Sequence, residues 1–464
     1  MRPNEAPVLI AVSDNPRGST VTSLKTLALA IIACGGGIAA GSAVHSEQWL
    51  FGPLGLLSIA LAFTQAKSAW AAALIGWTGG AFFFAAALPF LLAGYASIGL
   101  TGLQPTIGVI ALYLLLSIWW PVAFALAYLI GKSPLALSIL WPIAELLRSQ
   151  VFPSIPVAQI ASIWSQMPIV QLTHTLSVEL VGGLTLAICV VAAFDLAQRQ
   201  APYGSAVLVL IATGTGASMI TTPSTMPEMP RIATIDTGIP QRLRWDYDAL
   251  PGYMADLTSR SRAAFDAGTD LVIWPEAAVP YFPDELKEAL ADARPPAGAY
   301  LALGMMVPIE SDPGRFWNSF VVLDSELNEV ARYDKRHLFP FGEYVPFAEL
   351  LERWFGLTTI AASTNAIAHG DSVPQIRLLG LPGVVVPAIC YEGSFALPRA
   401  LREVPGAYIV NISNDAWWAG SNGSRFVEQE ARLRAIEAGL PLIRVPNMRE
   451  TKVFDAHGAQ TQLP

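Results

Sequence analysis

The spacing of apolar residues differs between the two halves of the chain. The first half contains long apolar stretches with few charges, and a helix that crosses a bilayer needs about 20 such residues. Seven stretches meet this requirement approximately: 24–42, 49–66, 69–93, 105–131, 135–152, 173–197 and 205–222. We therefore predict a membrane domain of about seven helices over 24–222.

The second half has shorter apolar runs, which alternate with amphipathic segments from Arg231 onward. The runs predicted as strands are RIATID, DLVIWPE, YLALGMMV, WNSFVVLD, EVARYDK, VVVPAIC and YIVNISN, and helices are predicted near 248–267, 394–404 and 424–438. Such alternation is typical of sheets covered by helices. We therefore predict a water-soluble α/β domain over 230–464.

Composition supports this division and argues against one class of partner. With 53% hydrophobic and 14% charged residues, and a mean hydropathy of +0.46, the chain is too apolar for an ordinary soluble protein. The net charge is −8 and the Lys and Arg residues form no cluster, so nucleic acid is not an expected partner. Cys34 and Cys189 lie in apolar stretches and Cys390 stands alone, so we expect no disulfide, no metal site and no cofactor.

The distribution of positive charge predicts the orientation of the membrane domain. Lys67, Lys132 and Arg199 lie in alternate loops, and positively charged short loops stay in the cytoplasm. The polar segment 1–23 has no signal-peptide pattern and is expected to be cytoplasmic, which places the α/β domain on the extracytoplasmic face. If the number of spans were lower by one, the α/β domain would lie on the cytoplasmic face instead. Arg148 is the exception among the loops, and we expect it to reach an interface.

Three residues with chemically reactive side chains follow predicted strands. Glu276 ends LVIWPE, Lys335 follows EVARYD, and Cys390 ends VVVPAIC. Taken singly, each is better explained as a turn carboxylate, a surface charge or a small buried hydrophobe. Together they form a chemically complete set, because a cysteine nucleophile needs a base to take its proton and a cation to lower its pKa and hold the oxyanion. We therefore predict a Glu-Lys-Cys triad.

Four motifs carry a family resemblance. WPEAA around Glu276, YDKRHLFPFGEYVP around Lys335, ICYE around Cys390 and SNDAWW at 413–418 resemble those of bacterial apolipoprotein N-acyltransferases, membrane-bound members of the nitrilase (carbon–nitrogen hydrolase) superfamily. The resemblance covers nearly the whole chain. It implies a multi-span α-helical membrane domain followed by an α/β nitrilase-type domain, an α-β-β-α sandwich, in a bacterial inner membrane.

The same resemblance implies roles for individual residues. Glu276 would be the general base, Lys335 the oxyanion stabiliser and Cys390 the nucleophile, forming a thioester with an acyl chain from phospholipid. An amine would then accept the chain, by resemblance the amino terminus of an apolipoprotein. The supporting residues would be Glu343, Tyr391 and Glu392, and the residues lining the substrate cleft would be Trp245 and Trp417.

The chain also departs from the family pattern. After SNDAWW it lacks the family's Gly-Pro-x-x-His stretch, the Asn-x-Gly segment reads Asn447-Met448-Arg449, and the Gln after the first strand is missing. No apolar run precedes Pro464, so we expect the family's last membrane helix to be absent. Three alternatives stay open: the shortened TraB-like branch associated with plasmid conjugal transfer, an amidase of the same superfamily with water as acceptor, and a catalytically silent membrane component.

Overall fold

The structure is a computed structural model, and it describes residues 16–463 except 47, 98, 221–225, 244–245, 247, 280–282, 341, 345–352 and 354–365. The amino-terminal part is helical. Its α-helices are α1 (Pro16–Ala43), α2 (Phe51–Thr64), α3 (Ala69–Ala87), α4 (Leu91–Ser97), α5 (Leu103–Leu116), α6 (Trp119–Leu129), α7 (Pro134–Gln150), α8 (Leu172–Leu176), α9 (Val178–Ala197) and α10 (Tyr203–Ile220).

Five segments in the described part of the chain are helical, long and apolar enough to cross a membrane: Leu24–Ala43, Ala69–Ala87, Pro105–Leu129, Val178–Ala197 and Tyr203–Ile220. The shorter α2 is also apolar. The protein is therefore a membrane protein. The stretch predicted at 105–131 contains two helices, α5 and α6, which are separated by Ser117 and Ile118.

The expectation that Arg148 reaches an interface is wrong. Its side chain on α7 is fully buried and pairs with Glu145 at 2.9 Å. The guanidinium also donates to the carbonyl oxygens of Ile155 (2.6 Å) and Val157 (3.1 Å). A buried arginine needs such partners because a charge away from water is costly. Arg148 thus holds the loop that follows α7 against the helix bundle.

The carboxy-terminal part contains two five-stranded sheets. The first has the order β1 (Ile232–Thr234), β2 (Leu271–Ile273), β3 (Tyr300–Pro308), β4 (Phe316–Leu323) and β5 (Glu329–Asp334), in which β1, β2 and β3 are parallel. The second has the order β10 (Gln460–Thr461), β9 (Lys452–Phe454), β8 (Leu442–Pro446), β7 (Ala407–Ser413) and β6 (Val384–Ile389), in which β6, β7 and β8 are parallel. The described residues of this part form the helices α11 (Leu250–Asp266), α12 (Pro283–Ala289), α13 (Arg399–Arg402) and α14 (Gly423–Ala438).

The apolar cores show that these elements form four layers. One core lies between the sheets and includes Ile273 and Phe320 from the first sheet and Ile389 and Val410 from the second. A second core packs α11 and α12 on the outer face of the first sheet. A third packs α13 and α14 on the outer face of the second sheet. The predicted α-β-β-α sandwich is therefore confirmed.

Helix α14 also connects the two parts of the protein. Ala431 and Ala435 pack on the second sheet, whereas Phe426, Leu433 and Ile436 belong to the large core formed by the membrane helices. Its amphipathic sequence can cover a sheet on one side. In this protein both faces are covered, so the α/β sandwich is packed against the membrane helices through α14.

Candidate functional site

The three predicted triad residues lie together, each shortly after the end of a strand. Glu276 follows β2, Lys335 follows β5 and Cys390 follows β6. The Nζ of Lys335 lies 3.5 Å from Oε1 of Glu276, and the Cys390 thiol donates a hydrogen bond to the Glu276 carboxylate. Each residue lies at the carboxyl end of its strand, where connecting loops expose side chains, and the two sheets pack against each other. Residues far apart in sequence thus share one polar site.

The backbone at Cys390 is strained. Cys390 has φ of 53°, a left-handed conformation that residues other than glycine rarely adopt. It begins the 3-10 turn Cys390–Ser394, here called the cysteine turn. Strain of this kind persists only where surrounding contacts hold the backbone, and such residues cluster at active sites. The turn places Cys390 beside Glu276, at the margin of the apolar core between the sheets.

Glu276 is held in a fixed orientation by two amide donors. Its Oε1 accepts from Nδ2 of Asn318 at 2.8 Å, and its Oε2 accepts from the backbone N–H of Asn414, also at 2.8 Å. Gly304 on β3 allows this approach, because a Cβ there would lie 2.6 Å from the Cα of Glu276. The carboxylate is therefore positioned by both sheets.

A second glutamate holds the lysine. The Nζ of Lys335 donates to Oε1 of Glu343 at 2.8 Å, and the other carboxylate oxygen of Glu343 accepts from the backbone N–H of Phe339 at 2.7 Å. Burial opposes the charge on Lys335, but Glu343 and Glu276 outweigh it and raise the pKa of the ammonium overall. Lys335 is therefore a fixed cation between two carboxylates.

Glu392 connects the cysteine turn to the segment that follows Lys335. Its Oε2 accepts from the backbone N–H of Ile389 at 2.8 Å, and its Oε1 accepts from the N–H groups of Arg336 (2.8 Å) and His337 (3.0 Å). The hydroxyl of Tyr333 donates to the same Oε1 at 2.8 Å. This buried carboxylate thus sets the distance between the cysteine turn and the loop that carries Lys335.

The electrostatic balance at Cys390 differs from the expectation that a neighbouring cation lowers its pKa. Burial raises the pKa of the thiol, Glu276 raises it further, and the opposing effect of Lys335 does not compensate. The resting group is a protonated thiol that donates to Glu276. A thiol in this state needs a base before it can act as a nucleophile.

One cavity of about 270 Å³ joins the triad to the membrane helices. Its polar end contains Glu276, Lys335 and Cys390. Its apolar walls come largely from the membrane part, including Leu88, Phe90, Leu91, Tyr95, Leu112 and Leu116. Ile155 and Val157, whose carbonyl oxygens are held by Arg148, line the same space. The triad thus opens onto an apolar chamber with membrane helices as walls.

The predicted aromatic and supporting residues have different surroundings. Trp417 lines the cavity, and so does Tyr391, which packs against Phe339 with ring centroids 5.2 Å apart. Trp245 lies outside the described residues. The neighbouring Trp418, which sequence reasoning did not select, packs edge-on against Phe90 at 5.0 Å and closes part of the cavity.

Three polar residues of the site were missed by sequence reasoning. Asn318 and the backbone of Asn414 hold Glu276, and the side chain of Asn414 donates to Gln241 at 2.7 Å. All three line the cavity. Asn414 lies within the quoted SNDAWW motif and was therefore available as a candidate. Asn318 is an inward-facing polar residue in an apolar strand, which is a weaker signal.

Comparison with known proteins places the chain in a family. The sequence model of the carbon–nitrogen hydrolase family matches residues 157–459, more than half of the chain, so the protein belongs to that family. Among its relatives is the apolipoprotein N-acyltransferase of Rhodopseudomonas palustris, 29% identical over 84% of this chain and 77% of the relative. That of Sinorhizobium medicae is 31% identical over 70% of this chain. The chain spans 63% of the Sinorhizobium protein, less than two thirds of its length.

Solved structures were also matched. An amidase from Nesterenkonia sp. AN1 is 18% identical, with a TM-score of 0.35, over 51% of this chain and 86% of the amidase. Nit3 of Saccharomyces cerevisiae, a nitrilase superfamily member, is 15% identical with a TM-score of 0.35, over 52% of this chain and 89% of Nit3.

Proposed function

We propose that the protein is a membrane-bound N-acyltransferase that moves an acyl chain from a phospholipid to an amine through a thioester on Cys390. The observation that carries this proposal is the cavity shared by the triad and the membrane helices. Exposing one CH₂ group to water costs about 0.8 kcal/mol, so a long acyl chain leaves the bilayer only for another apolar environment. The apolar walls around Leu112 and Leu116 provide that environment.

In the first half-reaction, the sulfur of Cys390 attacks the ester carbonyl of the phospholipid while Glu276 takes the thiol proton. The ammonium of Lys335 stabilises the oxyanion that forms. The carbon–oxygen ester bond then breaks, and Glu276 gives the proton to the departing glycerol oxygen. A lysophospholipid leaves and the acyl chain remains on Cys390 as a thioester.

In the second half-reaction, a neutral amine attacks the thioester carbonyl. Glu276 accepts the amine proton and returns it to the sulfur as the carbon–sulfur bond breaks, which forms an amide. The relatives named above are apolipoprotein N-acyltransferases. By analogy, the proposed acceptor is the amino terminus of a lipid-modified lipoprotein.

The apolar chamber favours a transferase over an amidase of the same family. An amidase with water as acceptor needs a small polar pocket closed to lipid, whereas this cavity has walls from α4, α5 and the segment that precedes α4. The distance of 3.5 Å between Lys335 and Glu276 also favours an active enzyme over a silent membrane component.

The experiment is acylation of the purified protein in detergent. Incubation with dipalmitoyl phosphatidylethanolamine and phosphatidylglycerol should add one palmitoyl mass to the intact protein and release lysophospholipid. Hydroxylamine should remove the mass, as it does from thioesters. The control is Cys390→Ala, which retains Cys34 and Cys189. Persistence of the adduct in this variant, or no adduct on the wild type, would refute the proposed half-reaction.

The acceptor requires a separate test. A diacylglyceryl lipopeptide with a free amino terminus should receive the chain from preacylated protein, with loss of the palmitoyl mass from Cys390. The segments at 419–430 and 447–452 differ from the family pattern, so we expect slower transfer than acylation. A water-only discharge at the same rate with and without lipopeptide would instead identify a hydrolase.

We further propose that the α/β sandwich lies on the extracytoplasmic face of a bacterial inner membrane. The loops that contain Lys67 and Lys132 lie side by side, because the Nζ of Lys132 donates to the carbonyl oxygen of Ala66 at 2.8 Å. Positively charged loops stay in the cytoplasm. A reporter fused after Gly131 should therefore read as cytoplasmic and one fused after Pro464 as extracytoplasmic. The same side for both fusions would contradict this topology.

A further inference from the structure

Helix α14 carries a buried ion pair that reaches both the cysteine turn and a membrane helix. The Nε of Arg434 donates to the carbonyl oxygen of Ser394, the last residue of the cysteine turn, at 2.8 Å. Its Nη1 donates to Oε2 of Glu437 at 2.6 Å. Oε1 of Glu437 accepts from the backbone N–H of Val178, the first residue of α9, at 3.2 Å. These hydrogen bonds therefore link the cysteine turn to the start of α9 without a break.

Stability alone does not explain this pair. The side chains of Arg434 and Glu437 are 2% and 1% exposed, so both charges are removed from water. Desolvation offsets most of the attraction in such a pair, and apolar residues of similar volume are often equally stable. The other contacts of the two residues therefore matter. Among the described residues, Arg434 binds an otherwise unpaired carbonyl of the cysteine turn, and Glu437 binds an otherwise unpaired amide at the start of a membrane helix.

The two ends of the cysteine turn are held by different parts of the protein. Its beginning is held to the Lys335 loop by Glu392, within the α/β sandwich. Its end is held by Arg434, whose partner Glu437 caps α9 in the membrane part. Glu392 thus maintains the triad, whereas Arg434 sets its position relative to the membrane-lined chamber. Ser394 lines that chamber.

We infer that Arg434 and Glu437 are positioning residues that align Cys390 with an acyl chain held by the membrane helices. This inference rests on the proposed acyltransferase function. Arg434 and Glu437 do not contact the reacting atoms. Misplacement by 1 Å can cost a reaction about 100-fold, so loss of the connection should slow attack on a lipid ester held elsewhere in the protein. A short ester that moves freely to Cys390 should be much less affected.

The test uses the double variant Arg434→Met/Glu437→Leu, which removes the connection and both charges of the pair together. Acylation of Cys390 is measured with the dipalmitoyl phospholipid mixture and with p-nitrophenyl acetate. We expect a rate loss of about 10-fold or more with phospholipid and a change within about twofold with the acetate ester. The matched control is Arg399→Met/Glu403→Leu, an exposed pair, which should change neither rate.

Each outcome distinguishes the inference from the function on which it rests. Equal losses with both esters, or no loss with either, would overturn the positioning role while leaving the acyltransferase proposal intact. Wild-type protein that reacts with p-nitrophenyl acetate but takes no acyl group from phospholipid would overturn both. Arg434→Lys provides a second check. Lysine lacks the guanidinium fork, so this variant should keep the ion pair with Glu437 but lose the bond to Ser394.

Discussion

Two ion pairs of equal length have very different surroundings in the two parts of this protein. Arg148 and Glu145 in the membrane part are 2.9 Å apart with side chains 0% and 8% exposed. Arg399 and Glu403 in the α/β sandwich are also 2.9 Å apart but 90% and 65% exposed. The distance therefore does not show which pair contributes more to stability. Water screens the second pair, whereas the first can be satisfied only by the protein.

The comparison explains how charge is used in the site. Glu276, Lys335 and Glu392 have surroundings more like those of Arg148 than those of Arg399, since each is buried and bonded to fixed partners. Buried charges in this protein fix the geometry of loops and turns. The following predictions test this difference between buried and exposed charges.

The largest effect is expected at the buried carboxylate of the triad. Glu276→Gln can accept only one of the hydrogen bonds from Asn318 and Asn414, and it removes the base, so acylation of Cys390 should slow by about 10³-fold. Intact-protein mass spectrometry over a time course measures this rate. The matched variant Glu403→Gln should react like the wild type. A loss below about 10-fold would show that another group takes the thiol proton.

The second prediction compares the two pairs directly. Glu145→Ala leaves Arg148 charged and buried, which should lower the free energy of unfolding by about 3–5 kcal/mol. Glu403→Ala should change it by less than about 1 kcal/mol, because the pair is exposed. Thermal unfolding in detergent provides the measurement. Equal shifts in the two variants would mean that burial does not decide the contribution of an ion pair here.

A third, smaller effect concerns Glu430 on α14. Burial raises its pKa to about 7, against opposing effects of Arg434 and Ser162, whereas the unfolded chain titrates near the ordinary value of 4.5. The protonated carboxyl therefore stabilises the fold fully below about pH 4.5, and this stability is lost as pH rises through about 7. Glu430→Gln removes that loss.

The difference in melting temperature between Glu430→Gln and the wild type should thus increase in favour of the variant from pH 5 to pH 7.5. The exposed control Glu403→Gln should show a difference that does not change over the same range. A Glu430→Gln difference that is constant with pH would indicate that Glu430 titrates at its ordinary value in the fold.

The smallest effect is on the thiol itself. Glu276 raises the pKa of Cys390, so Glu276→Gln should lower it and increase alkylation by iodoacetamide at pH 8. A change of half a pKa unit corresponds to about threefold in rate. The variant would then be more reactive toward the reagent and less active with lipid. Slower alkylation in the variant would show that Glu276 promotes the thiolate in the resting protein.

Much of the fold could be predicted from the pattern of apolar residues. The helical membrane part and an α/β domain with helix-covered sheets were predicted from periodicity that is local in sequence and were confirmed, whereas the four-layer arrangement was implied by the family resemblance. The break between α5 and α6 was not predicted, since an uninterrupted apolar stretch gives no signal for where a helix ends. The strands β8, β9 and β10 near the carboxyl terminus were not predicted either.

The site was only partly accessible from the sequence. Glu276, Lys335 and Cys390 each follow a predicted strand, and family motifs identify them, although their catalytic roles stay predictions. The partners Asn318 and Gln241 come from other segments and are recognisable only once the strands are placed side by side. The burial of Arg148 was mispredicted because hydropathy does not distinguish a bundle interior from a membrane interface.

The proposed function requires that one chamber joins the triad to the membrane helices and holds the donor's acyl chain. A phospholipid with a photoreactive diazirine near the end of one chain, bound to Cys390→Ala, tests it directly. We predict crosslinks to Tyr95, Leu112 or Leu116, which line the chamber. Crosslinks confined to Trp70 and Trp77, which line a groove elsewhere on α3, would contradict the claim.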